Sequence, residues 1–178
     1  MERQIYKKEQ GFSLIELMTV IVIAGILLSI GVPSYQEFVR KNNTITNSNS
    51  LVGALNLARS EAIKRGIQVT IRRKGSTSQV WTSGWDVFTD NDANGAMNDG
   101  DSLLRTYDAL PNNYTLQTGG TFADWVAYLP SGLSKGSGGL SNDTFRLCDD
   151  SANTTTSRSV RLSVSGRPRT IKGTVSCP

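Results

Sequence analysis

The amino-terminal part of the chain holds a long apolar segment that predicts a membrane-length helix. An almost continuous apolar run extends from Phe12 to Val32, and Glu16 is its only charged residue. Roughly 20 apolar residues in a helix cross a hydrocarbon core about 30 Å thick. A carboxylate in such a run costs roughly 2.5–3.5 kcal/mol on insertion scales, so Glu16 is a candidate functional residue. The alternative is a plain membrane anchor that tolerates one Glu near its end.

A second helical pattern follows the apolar run. Pro33 ends that run, and a proline inside a helix removes one backbone hydrogen bond and kinks or stops the helix. Further on, apolar residues recur at i, i+4, i+7 and i+11, namely Leu51, Leu55, Ala58 and Ala62. This spacing predicts one helix face that packs against a sheet. Gly66 suits the position just past the helix end. We therefore expect a helix over 12–66 whose first part, 12–32, spans a membrane.

From residue 67 the pattern changes to short runs rich in β-branched or aromatic residues. Clusters of Gly, Asn, Asp and Ser separate these runs at the spacing of an all-β unit. The predicted strands are 67–73, 79–88, 103–107, 114–117, 125–129, 145–148, 159–165 and 170–175. The polar stretches 134–142 and 149–157 are predicted loops. About 110 residues are enough for one modest core, so 67–178 is expected to form a single head domain.

The residues before the apolar run indicate the kind of helix. The heptapeptide Gly-Phe-Ser-Leu-Ile-Glu-Leu occupies 11–17 and follows a polar leader with the cations Arg3, Lys7 and Lys8. A secretory signal places its small-residue cleavage site after the apolar segment, whereas here the small residue precedes it. The pattern resembles the class III signal of type IV pilins and type II secretion pseudopilins.

That resemblance implies a processed, membrane-anchored subunit. A prepilin peptidase would remove the leader, 1–11, by cleavage between Gly11 and Phe12, and the new Phe12 amine would be N-methylated. Glu16 lies one turn later on the same helix face. In the pilin family this carboxylate would pair with the terminal amine of a neighbouring pilin or pseudopilin in the filament, which selects the register. The basic leader keeps its end cytoplasmic, which implies one pass through the cell inner membrane and a periplasmic head.

Pieces of the head also resemble a known group. They are Gly-Trp-Asp-Val-Phe-Thr-Asp at 84–90, Asp-Ser-Leu-Leu-Arg at 101–105, Pro-Ser-Gly at 130–132 and Phe-Arg-Leu-Cys at 145–148. Together they resemble the heads of H-type pseudopilins and of FimU-type and FimT-type minor pilins. The implied fold is α+β and pilin-like, with a long amino-terminal helix packed on two antiparallel β-sheets.

Composition narrows the chemistry. The chain has two cysteines, Cys148 and Cys177, and no histidine. In an oxidising periplasm an even number of cysteines favours a disulfide, and the alternative is two free buried thiols. The bridge would close a loop of roughly 30 residues and contribute about 3–4 kcal/mol on the chain-entropy model. Without histidine, a paired-Cys motif or a serine elbow, the chain offers no usual general base or nucleophile, so we predict a non-enzyme without a cofactor.

An acidic loop in the head raises a metal hypothesis. Asp-Asn-Asp-Ala-Asn-Gly at 90–95, followed by Asp101, has the D-x-D-x-N-G spacing of a calcium loop. The candidate ligands are Asp90, Asp92, Asn94 and Asp101. Asp, Asn and Gly are also good turn formers, and no helices clearly flank the loop. A solvated hairpin loop is therefore the favoured interpretation.

The carboxy-terminal region is basic. Between 151 and 178 the chain has no acidic residue and five cations, Arg158, Arg161, Arg167, Arg169 and Lys172. In an extended strand Arg167 and Arg169 point to the same side, about 6.6 Å apart, which is compatible with successive phosphates of a nucleic acid. Arginine binds phosphate through a two-pronged fork. Gly166 permits a tight turn before the pair, and Pro168 suits a strand edge that needs no backbone donor.

The segment Gly-Arg-Pro-Arg at 166–169 resembles the Gly-Arg-x-Arg motif of FimT-type minor pilins, which are implicated in DNA binding during natural transformation. The resemblance implies that Arg167 and Arg169 are the main DNA contacts and that Lys172, Arg158 and Arg161 support them. Because few aromatic residues accompany the cations, binding would be sequence-independent and salt-sensitive. The alternative is a structural FimU-type minor pilin or H-type pseudopilin, acting in filament-tip assembly or protein secretion. In that alternative the basic surface would only balance the charge of neighbouring residues or bind an acidic pilin.

Overall fold

The computed structural model describes residues 11–151, 153, 156–173 and 177. Within them the chain forms one helix, α1 (Leu14–Arg65), and nine strands. The strands are β1 (Val69–Arg73), β2 (Trp85–Thr89), β3 (Leu103–Tyr107), β4 (Tyr114–Gln117), β5 (Trp125–Tyr128), β6 (Ser134–Gly136), β7 (Asp143–Asp149), β8 (Arg158–Leu162) and β9 (Pro168–Lys172). The chain divides into two compact units, Met1–Val39 and Arg40–Pro178, so the boundary falls within α1.

In the first unit, α1 runs through Pro33. We expected a kink or a stop at this proline, and the helix does not stop there. A proline removes only one backbone donor from the helix. The residues on both sides of Pro33 remain helical, so the loss of this single donor does not end α1. By length and composition α1 qualifies as a membrane span, and no part of its most apolar 18-residue window is buried within the chain.

In the second unit, α1 continues through the polar stretch 42–50, which on its own is a weak helix former. Thr44 and Ser48 are buried in this stretch. Their hydroxyls donate to the carbonyl oxygens of Arg40 (2.9 Å) and Ile45 (2.8 Å) in the preceding turn. Because the helix itself satisfies these hydroxyls, their burial leaves no unpaired donor. The predicted apolar face is confirmed, since all four of its members are buried: Leu51, Leu55, Ala58 and Ala62.

The strands form two antiparallel sheets. The first sheet has the order β3-β2-β1-β5-β6, and the second has the order β4-β7-β8-β9. β3 and β4 have the predicted bounds, whereas the predicted strand 79–88 is split: Val80 forms only an isolated bridge to Gln117, and β2 begins at Trp85. β6 lies in a stretch predicted as a loop. Its Ser-Lys-Gly sequence has little intrinsic preference for a strand, and pairing with β5 holds it extended.

The carboxy-terminal half of α1 and both sheets share one hydrophobic core. The ring centroids of Trp81 and Phe145 lie 5.1 Å apart in an edge-to-face arrangement. The indole Nε1 of Trp81 donates to the carbonyl oxygen of Phe122 (3.0 Å), so the largest buried side chain is also satisfied. Since this core fixes the inner face of the second sheet, alternate residues of its strands must point outward.

The predicted disulfide is confirmed. Cys148 of β7 is bonded to Cys177, with 5.8 Å between the two Cα atoms. Cys148 follows the inward-facing Leu147, so its side chain lies on the outer side of the second sheet. The bond therefore anchors the end of the chain to a strand that lies two positions away from β9.

Candidate nucleic-acid interface

The outer face of the second sheet carries arginines from adjacent strands. On β7 the side chains of Phe145 and Leu147 are buried, so Arg146 between them points outward. On β8 the side chain of Val160 is buried, and its neighbour Arg161 is exposed on the outer face. The sheet register supports this assignment, because Phe145 lies opposite Val160.

The Gly-Arg-Pro-Arg segment adds two more arginines to that face. Arg169 of β9 lies directly opposite Arg161, and cross-strand partners share one face of a sheet. Arg167 lies directly before β9, and its carbonyl oxygen accepts the N–H of Ser163 (3.3 Å), which continues the pairing with β8 by one residue. Arg167 therefore points to the same side as Arg169, and both residues are exposed. We call this set the arginine face: Arg146, Arg161, Arg167 and Arg169. Neighbouring strands lie about 4.8 Å apart, so the face extends roughly 10 Å across β7, β8 and β9.

The arginine face has no acidic partners in the described part of the chain. The salt bridges found there involve other cations, such as Arg73 with Asp124 (2.6 Å) and Arg65 with Glu61 (2.6 Å). None of the four guanidinium groups of the arginine face forms an ion pair with a described acid. The register also places Arg161 against Arg169, and like charges directly opposite each other destabilise a sheet. The face therefore presents concentrated, uncompensated positive charge.

This repulsion predicts that Arg161→Thr stabilises the protein. Threonine suits a strand, and the change removes one of two opposed charges, so the free energy of unfolding should rise by about 0.2–1 kcal/mol. Urea denaturation at low salt measures it. Lys135→Thr is the control, because Lys135 is an exposed strand cation that lies opposite Ala127 rather than another charge. A gain no larger than that of the control contradicts the repulsion.

Two of the predicted DNA contacts lie elsewhere. Arg158 is opposite the buried Leu147 on one side and opposite Lys172 on the other. Both cations therefore belong to the inner side of the second sheet, at its end, rather than to the arginine face. Arg146 was missed by sequence reasoning, although the signal was present. An arginine between two apolar residues of a strand points away from the core.

The turn before β9 brings Arg167 to the arginine face. The N–H of Gly166 donates to the carbonyl oxygen of Ser163 (2.8 Å), which closes the turn between β8 and β9. Gly166 has φ +74°, in the left-handed region, and a Cβ there would lie 2.3 Å from the carbonyl oxygen of Gly132. Only glycine meets both requirements, which confirms the tight turn predicted at this position.

The acidic loop gathers three of its four candidate ligands. Carboxylate oxygens of Asp90, Asp92 and Asp101 lie within 4.8 Å of one another. The fourth candidate, Asn94, donates its side-chain amide to Asp92 (2.6 Å). Hydrogen bonds from the Asn98 side chain and the Asn94 backbone lower the pKa of Asp92 below its ordinary value. A hard cation takes oxygen ligands of this kind, but donors within the loop already engage these oxygens and account for its conformation.

At the amino-terminal end, Glu16 lies in the first turn of α1. Its backbone N–H donates to the carbonyl oxygen of Ser13 (3.1 Å), so the helix begins just after the predicted cleavage point between Gly11 and Phe12. Phe12 and Glu16 are both exposed in the single chain. Both groups are therefore open to contact by a neighbouring helix.

The chain shares the architecture of a long amino-terminal helix joined to a head of two antiparallel sheets with solved minor pilins and pseudopilins. A family model described as type II transport protein GspH matches residues 47–166, and the prokaryotic N-terminal methylation motif matches residues 6–32. Since the first match covers most of the chain, the protein belongs to the GspH family. The family and the apolar helix together indicate a membrane-anchored filament subunit.

Known proteins share parts of the sequence and the fold. A fimbrial protein of Pseudomonas aeruginosa is 41% identical over 63 residues, which is 35% of this chain and 40% of that protein. The type IV minor pilin FimU of P. aeruginosa has a similar structure, with a TM-score of 0.61 and 19% identity over 76% of this chain and 93% of that one. The minor pseudopilin EpsH of the Vibrio cholerae type 2 secretion system gives a TM-score of 0.51 and 18% identity over 73% and 97%. At these identities the two structures establish the fold.

Proposed function

We propose that this chain is a FimT-type minor pilin of a type IV pilus that binds DNA nonspecifically during natural transformation. The arginine face carries the proposal, because it places both arginines of the Gly-Arg-Pro-Arg segment beside Arg161 and Arg146 without acidic partners. Arginine forks bind phosphate oxygens bidentately. The backbone of a nucleic acid presents a closely spaced row of negatively charged phosphates that such a face can bind.

The residues between the arginines favour contact with the backbone rather than the bases. The outward positions of the described strands next to them are polar or aliphatic: Gln117, Thr144, Ser159 and Ile171. Base stacking uses aromatic side chains, which these positions do not supply. The expected binding is therefore sequence-independent, and it weakens as salt restores the counterions to the DNA.

The proposal includes a membrane and filament stage. A prepilin peptidase cleaves between Gly11 and Phe12 in the inner membrane, and the Phe12 amine is then methylated. In the filament, Glu16 pairs with the Phe12 amine of a neighbouring pilin, because either charge left alone between packed helices would be costly. The methylation motif and the position of Glu16 in the first turn of α1 support this assignment. The chain acts by binding and assembly, without a cofactor or an enzymatic step.

The test compares two double variants of equal charge. Full-length protein in a neutral detergent is titrated with random-sequence DNA across a salt series. Arg167→Ala/Arg169→Ala removes two cations from the arginine face, and its matched control, Arg158→Ala/Lys172→Ala, removes two from the inner side of the sheet. We expect the affinity of the first variant for DNA to fall about 10-fold to 100-fold. The slope of its log affinity against log salt concentration should decrease by the equivalent of about two phosphate contacts. Both quantities should change little in the control. Equal losses in both variants mean that net charge alone matters, and they contradict the proposal.

The second candidate function is structural. The similarity to FimU and EpsH favours a subunit that acts in filament-tip assembly of a pilus or a secretion pseudopilus. In that case the wild type and both double variants bind DNA equally weakly, and the arginine face is ordinary surface or a contact for an acidic pilin.

A further inference from the structure

The turn that presents Arg167 is docked onto the other sheet. The hydroxyl of Tyr128, on β5 of the first sheet, donates to the carbonyl oxygen of Gly166 (3.0 Å). The Tyr128 side chain is fully buried, and burial raises its pKa well above the ordinary value. The hydroxyl therefore keeps its proton and remains a donor at any physiological pH.

Other groups close the space around this contact. Gly166 lies so near the first sheet that a Cβ would sit 2.3 Å from the Gly132 oxygen and 2.9 Å from the Tyr128 ring. The same Gly132 oxygen accepts a hydrogen bond from Nε of Arg59 on α1 (3.2 Å). The turn therefore rests on a surface built by the first sheet and by α1, which holds it in place from outside the second sheet.

The geometry of the peptide between Gly166 and Arg167 links this contact to the arginine face. A peptide unit is planar, so the Gly166 carbonyl and the Arg167 N–H turn together. Tyr128 holds the carbonyl side, and Oγ of Ser163 accepts the Arg167 N–H on the other side (3.3 Å). On the other side of the Arg167 Cα, the carbonyl oxygen of Arg167 accepts the backbone N–H of Ser163 (3.3 Å). Because the peptides on both sides of this Cα are held, the direction in which the Arg167 side chain leaves the backbone is set.

We propose that Tyr128 is a positioning residue for DNA binding, which acts by fixing the Gly166–Arg167 peptide and so pre-orienting Arg167. This inference rests on the proposed function. Glycine tolerates many backbone conformations, so without the hydroxyl this peptide can rotate. Arg167 must then be ordered when DNA binds. Ordering one side chain of this kind costs a binding site roughly 2-fold to 10-fold in affinity.

A second buried tyrosine provides the matched control. The hydroxyl of Tyr114 donates to the carbonyl oxygen of Arg40 (3.2 Å), and its side chain is as buried as that of Tyr128. Tyr128→Phe and Tyr114→Phe therefore each remove one hydroxyl from the core, but only the first touches the turn. The full-length variants are compared for DNA affinity and, without DNA, for amide hydrogen exchange in a peptide that covers 163–167.

We expect Tyr128→Phe to speed exchange at 163–167 and to weaken DNA binding roughly 2-fold to 10-fold, and Tyr114→Phe to do neither. In an Arg167→Ala background the effect of Tyr128→Phe on affinity should vanish, which a general loss of stability would not produce. Unchanged exchange and affinity in Tyr128→Phe, while Arg167→Ala/Arg169→Ala loses binding, overturn the positioning role alone. If that double variant binds like the wild type, the proposed function fails, and the positioning role fails with it.

Discussion

Replacing Asp90 by alanine should lower the free energy of unfolding by about 3–5 kcal/mol. Asp90 is fully buried, and its carboxylate accepts hydrogen bonds from the side chains of Gln68 (2.8 Å) and Thr70 (2.5 Å). It also accepts the backbone N–H groups of Asn94 (3.1 Å) and Gly95 (3.0 Å). Alanine would leave the donors of the buried residues Gln68, Thr70 and Gly95 without their acceptor inside the protein, and each buried unpaired donor costs roughly 1–3 kcal/mol.

Asp92 supplies the control, because it belongs to the same loop but is exposed. Asp92→Ala should shift the urea midpoint only slightly, since water replaces its partners. Trp125 reports on the loop, because its ring lies so close to Gly95 that a Cβ there would sit 2.3 Å from Nε1. Tryptophan fluorescence, to which Trp81 and Trp85 of the core also contribute, should therefore follow the unfolding of both the loop and the core in Asp90→Ala. Equal shifts of the urea midpoint in the two variants contradict the central role of Asp90. If Asp90→Ala is less stable than the wild type only when calcium is present, the loop is a cation site instead.

Removing the disulfide should be the second large effect. The double variant Cys148→Ala/Cys177→Ala should lose about 3–4 kcal/mol in the free energy of unfolding, because the bond restricts the unfolded chain. The cysteines are 29 residues apart in sequence, which sets the size of the loop that the bond closes. Urea denaturation with and without a reductant measures the effect.

The reductant provides the internal comparison for this prediction. The wild type under reducing conditions should resemble the double variant, whereas the double variant itself should not respond to the reductant. A loss below about 1 kcal/mol would mean that the unfolded chain gains little freedom when the bond is absent. In that event the covalent bond contributes little to the stability of the fold.

The parts of the fold that depend on local pattern were predictable from the sequence. The i, i+4, i+7 spacing from Leu51 identified the buried face of α1, and the bounds of β3 and β4 agreed because turn residues flank both strands. β6 could not be predicted, since pairing with β5 rather than its own composition makes it a strand. The pattern around Pro33 likewise did not show whether the helix would stop there. It continues because the residues before and after the proline are themselves helical.

The candidate interface was only half predictable, because it depends on register between strands. The two-residue period of a strand predicted that Arg167 and Arg169 point to the same side. It could not show that Arg161 lies opposite Arg169, or that Arg158 belongs to the inner side. Those facts follow from how β7, β8 and β9 align, and a shift of one residue would exchange the two faces.

The arginine face has a consequence for the conditions under which a filament works. Dissolved ions set the distance over which the positive charge of this face acts, since the screening length falls from about 30 Å at 0.01 M to about 8 Å at 0.15 M. Under the proposed function, a filament that displays this face would bind DNA more tightly in fresh water than in salt water.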